Sequence, residues 1–172
     1  MARAGLTGVL LVGGASSRFG SSKALARFEG ETLAERGWRI LGEACEHRLA
    51  VGKGDEGLPF PVLADGVEER AAIHGLVAGL RAAPTELCVV LPLDVPRMTA
   101  AALHELADAC LDAAVPQTGP LPGAYRRMAL PTLDRGELSI RRALIGLDVA
   151  VVELDPALLA NVNTPDDLRA LG

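Results

Sequence analysis

The chain has 172 residues, 49% of them hydrophobic and 3% aromatic, with a formal net charge of −5. That length encloses the core of one ordinary domain, expected over residues 1–172. Acidic and basic side chains are interspersed and rings are scarce, which argues against a nucleic-acid partner of either the basic-patch or the base-stacking kind. Cys45, Cys88 and Cys110 form no C-x-x-C pair and sit among apolar neighbours, so they read as buried small hydrophobes in a reducing cytoplasm. His47, His74 and His104 have no metal-ligand spacing. Met1 to Thr7 is too short and polar for a signal peptide, and no apolar run reaches membrane-spanning length. A soluble cytoplasmic protein with no membrane partner is expected.

Gly8-Val9-Leu10-Leu11-Val12 is a continuous apolar run of the kind buried on both faces of a parallel sheet. A loop rich in glycine and serine follows. Thr32-Leu33-Ala34-Glu35 has capping-box spacing, and Leu33, Gly37, Ile40, Leu41 and Ala44 then recur at helical intervals. Arg48 to Val51 and Pro61 to Leu63 predict short strands, and Ile73 to Ala82 predicts a helix ending before Pro84. Leu87 to Leu91 predicts a second core strand running out at Asp94. Beyond it the pattern predicts a helix over Thr99 to Leu111 and strands over Ala113 to Val115 and Pro122 to Tyr125. A helix over Ser139 to Leu147, a strand over Val149 to Leu154 and a last helix from Pro165 complete the chain. This alternation predicts an α/β fold, a three-layer α/β/α sandwich with a Rossmann-like, mostly parallel sheet. Such open sheets bind ligands beyond the carboxyl ends of their strands, which singles out Gly13 to Lys23, Gly52-Lys53, Asp65, Asp94 and Asn161 to Asn163.

Adjacent glycines at Gly13 and Gly14, straight after a buried strand, let the chain turn sharply and aim successive N–H groups at one point. Arg18 and Lys23 add positive charge to that cradle, as a triphosphate requires. Neither the dinucleotide fingerprint nor the Walker loop fits, because the glycine spacing is wrong for the first and Lys23 precedes Ala24 rather than Ser or Thr. Asp94 ends the second core strand on the same sheet edge, and magnesium favours one or two carboxylates together with phosphate oxygens. Asp65, on the neighbouring crossover, reads equally as a nucleotide contact or as loop structure. Thr164-Pro165-Asp166-Asp167 reads as a helix start. Asn161 and Asn163 face one side of the extended segment before it, where Asn163 meets either an acceptor or local backbone.

Leu11, Gly13, Gly14, Ser16, Arg18, Gly20 and Lys23 fill in order the L-x-G-G-x-S-x-R-x-G-x-x-K signature. In this the segment is similar to molybdenum cofactor guanylyltransferases and their nucleotidyltransferase relatives. Leu93-Asp94-Val95-Pro96, Gly75 to Gly79, Gly136 to Arg141 and Asn161 to Leu168 resemble further segments of that family, so the likeness runs over nearly the whole chain. The resemblance implies a nucleotide-diphospho-sugar-transferase-like fold and a magnesium-dependent transfer of GMP from GTP to molybdopterin, with release of diphosphate. It implies nucleotide binding by Leu11, Val12, Gly13, Gly14, Ser16, Lys23, Gly52, Asp65 and Asp94, with Asp94 holding the metal and Arg18, Lys23 and Asp94 catalytic. Asn163 and Tyr125 are expected on the acceptor side, while Arg126, Arg141 and Arg142 either meet the acceptor's phosphate or stay solvated. Transient contact with cofactor-synthesis or cofactor-receiving proteins is also expected.

Three departures from the family pattern stand out. Val12 replaces the usual alanine, Leu76-Val77 replaces Pro-Leu, and Gly52 stands where some members carry an asparagine that reaches the nucleotide. Base selection is thereby left open between guanine and cytosine, as is a related cofactor pathway. A non-catalytic nucleotide-binding regulator and a purely structural interaction domain are the alternatives from other classes.

Overall fold

The computed structural model describes residues 1–13, 22–53 and 57–172. Strand β1 (Arg3–Leu11) leads to a small hairpin of β2 (Arg27–Phe28) and β3 (Glu31–Thr32), then α1 (Leu33–Ala44) and β4 (Cys45–Gly52). Next come β5 (Val62–Ala64), α2 (Ala72–Ala82), β6 (Leu87–Pro92), α3 (Ala100–Ala109), β7 (Ala113–Pro116) and β8 (Gly123–Arg126). The short helices α4 (Leu130–Leu133) and α5 (Ile140–Ala143), strand β9 (Val149–Val152) and helix α6 (Pro165–Leu171) close the chain. The main sheet has the order β5-β4-β1-β6-β8-β7-β9. Every neighbouring pair is parallel except those made by β8, which runs antiparallel to both β6 and β7.

Strand β1 lies inside the sheet, and its side chains alternate between two cores. Leu6 and Leu10 pack with Ile40 and Leu41 of α1 and Leu103 and Leu106 of α3. Val9 and Leu11 face the other way, towards Ile73, Leu76 and Leu80 of α2 and Leu133 of α4. Each such apolar side chain taken fully out of water contributes roughly 1.5–3 kcal/mol, so this strand is what binds the three layers together. Gly75 and Gly79 lie one turn apart on α2, where an added Cβ would stand 2.9 Å from Leu11 Cδ2 and 2.5 Å from Val9 Cγ1. The glycine pair therefore seats α2 close against β1 and aims its first turn at the strand ends.

The predicted capping box forms at α1, and the helix start predicted at Thr164 proves to be a second one. The Glu35 N–H donates to Thr32 Oγ1 (3.1 Å) and the Thr32 N–H to Glu35 Oε2 (2.8 Å). At α6 the Asp167 N–H donates to Thr164 Oγ1 (3.1 Å) and the Thr164 N–H to Asp167 Oδ2 (3.0 Å). The helix expected over Ser139 to Leu147 is instead the single turn Ile140–Ala143, ended by a turn in which Gly146 adopts φ +94°. The β2–β3 hairpin has no counterpart in the sequence reading. Its turn residues Glu29 and Gly30 both have positive φ, at 50° and 90°, the hand that suits a two-residue hairpin.

Candidate active site

A cleft of about 530 Å³ opens beyond the carboxyl ends of β4, β1 and β6. It lies where the chain changes direction across the sheet, since α1 carries the chain from β1 to β4 on one side while β6 joins β1 on the other. Leu11, Val12, Gly13, Gly52 and Pro92 contribute the strand ends, and Ala71, Ala72 and Gly75 bring in the start of α2. Lys23, Lys53, Asp65, Arg70, Asp94 and Asn163 supply the charged and amide groups.

Gly13 and Gly52 set the width of the floor. The Val12 N–H donates to Val51 O at 2.9 Å, so β1 and β4 stay paired to their last residues. A Cβ on Gly13 would lie 2.9 Å from Lys53 N, and one on Gly52 would lie 2.8 Å from Val12 Cγ2 and 2.9 Å from Gly13 N. The absence of an asparagine at Gly52 is thus a packing requirement of this floor.

At one end of the cleft stand Lys23 and Asp94. Lys23 opens a 3-10 turn, Lys23–Leu25, anchored by buried Ala24. Burial pushes the Lys23 ammonium down from the ordinary lysine range, and the charges of Asp94 and then Asp167 oppose that shift. Burial likewise pushes the Asp94 carboxyl up, against the pull of the Lys23 charge. The two groups are each other's electrostatic partners in a half-dry setting. Asp94 O accepts the N–H of fully buried Val162 at 2.8 Å, which fastens the terminal segment beside it. Asn163 consequently lines the cleft, with its own N–H donated to Asp167 Oδ2 at 2.9 Å.

At the other end, Lys53 Nζ donates to both oxygens of Asp65, at 3.0 and 2.8 Å, and also to Val67 O. The Val67 N–H returns a bond of 3.0 Å to Asp65 Oδ1. Burial raises the Asp65 carboxyl, but the Lys53 and Val67 hydrogen bonds and the Lys53 and His74 charges outweigh it, and the net shift is downward. Asp65 thus closes the turn at residues 65–67, the loop role that the sequence allowed, and also lines the cleft.

Tyr125 is a correction to the acceptor-side expectation. Its side chain is wholly buried in the core beneath α2, with its hydroxyl donated to Pro120 O. As a β8 residue registered between Cys88 and Ala113, it points into the helix layer rather than over the strand ends. Arg126 is engaged with the carbonyls of Leu111 (2.8 Å) and Cys110 (3.3 Å), away from the cleft. Asn161 is exposed and, with Arg141 and Arg142, is absent from the lining. Gly14, Ser16, Arg18 and Gly20 lie outside the described residues. Two charged residues missing from the expected nucleotide set, Lys53 and Arg70, do line the cleft. Their signal was positional, one following the end of β4 and the other preceding α2.

Comparison with known proteins agrees with this geometry. The model of the MobA-like NTP transferase domain family matches residues 8–150. A probable molybdenum cofactor guanylyltransferase of Chloroflexus aggregans is 31% identical, covering 95% of this chain and 92% of its own. Another, from Deinococcus radiodurans, is 34% identical with 96% and 93% covered. Among solved structures, the molybdopterin-guanine dinucleotide biosynthesis protein A of Archaeoglobus fulgidus superposes with a TM-score of 0.81. It is 25% identical, with 96% of each chain covered. The nucleotide-diphospho-sugar-transferase-like fold expected from the sequence is the one observed. The chain belongs to the MobA-like NTP transferase family and is a nucleotidyltransferase.

Proposed function

We propose that the chain transfers GMP from GTP to molybdopterin in molybdenum cofactor biosynthesis, releasing diphosphate. The observation that carries this reading is the meeting of Lys23 and Asp94 in one cleft at the ends of β1 and β6. The names of the relatives support guanine and molybdopterin as the nucleotide and the acceptor. In this account Lys23 and the Gly13 turn hold the triphosphate, and Arg18 adds a second cation. Asn163 orients the acceptor so that its terminal phosphate oxygen attacks the α-phosphate in line with the departing diphosphate. Catalysis is then mostly positioning and electrostatic stabilisation, with no covalent enzyme intermediate.

The donor set suits a magnesium ion shared with substrate phosphates. Asp94 is a half-buried carboxylate whose burial outweighs the pull of the Lys23 charge, and the described residues hold no group of three acidic, histidine or cysteine side chains that would form an all-protein cage. Magnesium commonly uses one or two carboxylates plus phosphate oxygens. When bound at Asp94, it would offset charge developing on the transferred phosphate. We also propose a cytoplasmic setting and transient contact with the proteins that supply the acceptor or receive the product. The test is diphosphate release from GTP, CTP and ATP in the presence of molybdopterin. Transfer from GTP in preference to the others supports the reading, and preference for CTP moves the chain to cytidylyl transfer.

A further inference from the structure

The side chain of Arg36, on α1, is only 16% exposed and lies at the junction of the segments that carry Lys23 and Asp94. Its Nε donates to Pro96 O at 2.6 Å, two residues beyond Asp94. Its other nitrogens meet the β2–β3 hairpin that follows the Lys23 turn. Nη2 stands 2.9 Å from Glu29 Oε2, and Nη1 donates to Glu31 Oε2 at 3.2 Å. The guanidinium carbon also lies 4.8 Å from the centre of the Phe28 ring. Phe28 packs in turn with Val162, the residue whose N–H is donated to Asp94 O. Arginine suits this junction because its donors diverge from one rigid plane.

We propose that Arg36 is a positioning residue for the transfer, setting where Lys23 stands relative to Asp94. This rests on the GTP reading and deepens it. The Asp94–Pro96 segment has anchors of its own: Asp94 O accepts the Val162 N–H at 2.8 Å, Val95 O accepts the Met98 N–H at 3.1 Å, and Val95 and Met98 are buried. The hairpin is held less firmly. Its strands are two residues each, and so short a hairpin is marginal in water without outside support. At its tip Glu29 has φ 50°, the one positive value at a non-glycine among the described residues, and such a backbone persists only where its surroundings hold it. The hairpin joins directly onto the Lys23 turn, with the Ala26 N–H donated to Lys23 O at 3.1 Å and the Leu33 N–H to Ala26 O at 2.8 Å. Ala24 gives that turn a single methyl in the core, too little to fix its direction. Arg36 therefore ties a loosely supported element to a firmly supported one. Without it Glu31 still accepts from Arg39, at 3.1 and 2.7 Å, so the fold survives while the Lys23 ammonium drifts from its place opposite Asp94.

Initial rates of magnesium-dependent guanylyl transfer, with GTP and acceptor varied in turn, test this in the wild-type chain, Arg36→Met and Arg36→Lys, each also combined with Lys23→Ala. Arg36→Met should lower kcat/KM for GTP about tenfold to hundredfold, the effect of misplacing a catalytic group by about 1 Å. The KM for GTP should rise while the KM for the acceptor holds. In the Lys23→Ala background the same substitution should cost less than about threefold, because the group it positions is gone. Arg36→Lys keeps the charge and the stem but loses the fork, so it should stay at least about fivefold below wild type. Equal fold-losses in the two backgrounds would make Arg36 a support of the fold only and overturn the inference alone. Full recovery by Arg36→Lys, or a normal kcat/KM in Arg36→Met, would do the same. Should Arg36→Met fail to fold, the Arg36→Lys pair carries the comparison: a loss that shrinks with Lys23→Ala supports the inference, and an equal loss overturns it. A wild-type chain that transfers nothing from GTP would overturn the GTP reading as well.

Discussion

Gly13 and Gly52 stand so close across the ends of β1 and β4 that a Cβ on Gly13 would come within 3.0 Å of Gly52 Cα. Gly52→Asn, which restores the side chain some relatives carry, should therefore widen the floor instead of adding a contact. Overpacking of this kind costs about 1–3 kcal/mol. Urea denaturation should report a loss in that range, and GTP affinity should not improve.

Lys23 bears on rate more than on stability. Lys23→Ala should lower the transfer rate on the order of 10²-fold to 10³-fold, the typical loss on removing one aimed electrostatic donor. The charges of Asp94 and Asp167 act on its half-buried ammonium but are outweighed by burial, so the ammonium adds little to the stability of the ligand-free fold. A melt of the ligand-free variant should shift by less than about 1 kcal/mol equivalent. A normal rate would remove Lys23 from the site.

Thr164 links the helix cap to Asn163, the residue proposed to orient the acceptor. Its hydroxyl accepts the Asp167 N–H, and Asp167 in turn holds the N–H groups of Asn163 and Thr164. Thr164→Ala should cost about 0.5–2 kcal/mol, the usual range for a lost N-cap. Because Asn163 loosens with the cap, the KM for the acceptor should rise more than the KM for GTP. Steady-state kinetics with each substrate varied in turn checks the order.

The cysteines give a pH prediction with a definite sign. Burial pushes Cys45 and Cys88 up to about 12 and Cys110 up to about 11. The unfolded chain releases these protons near the ordinary thiol value of about 8.5, so the folded state binds more protons above that pH. Stability from the thiols is thus complete below the ordinary value and declines as pH rises towards 11 to 12. At neutral pH a thiol reagent should label none of the three in the native chain and all three in urea.

Much of the fold was legible because periodicity and chemistry agreed. Gly8 to Val12 and Leu87 to Leu91 read as core strands because almost every residue in them is apolar, and the helices α1 and α6 start where Thr32 and Thr164 announce them. The reversal of β8 was not legible, since strand direction is decided by pairing with β6 and β7 and leaves no mark in four residues. Nor was the burial of Tyr125 legible: expected on the acceptor side, it donates its hydroxyl to a nearby carbonyl within the core. In the site, Lys23 and Asp94 were legible as charged residues after core strands. Lys53 was legible only as a residue following a strand end, because its partner Asp65 lies twelve positions away, across the β4–β5 pair.

The central claim is that this cleft moves a guanylyl group with Asp94 at its heart. The direct measurement follows α-phosphate-labelled GTP into molybdopterin in the presence of magnesium, for the wild-type chain and for Asp94→Asn. The account predicts label in the acceptor with the wild-type chain, and loss of transfer in a variant whose melting temperature is retained. Wild-type turnover by Asp94→Asn, or a wild-type chain that leaves all label in GTP, would contradict it.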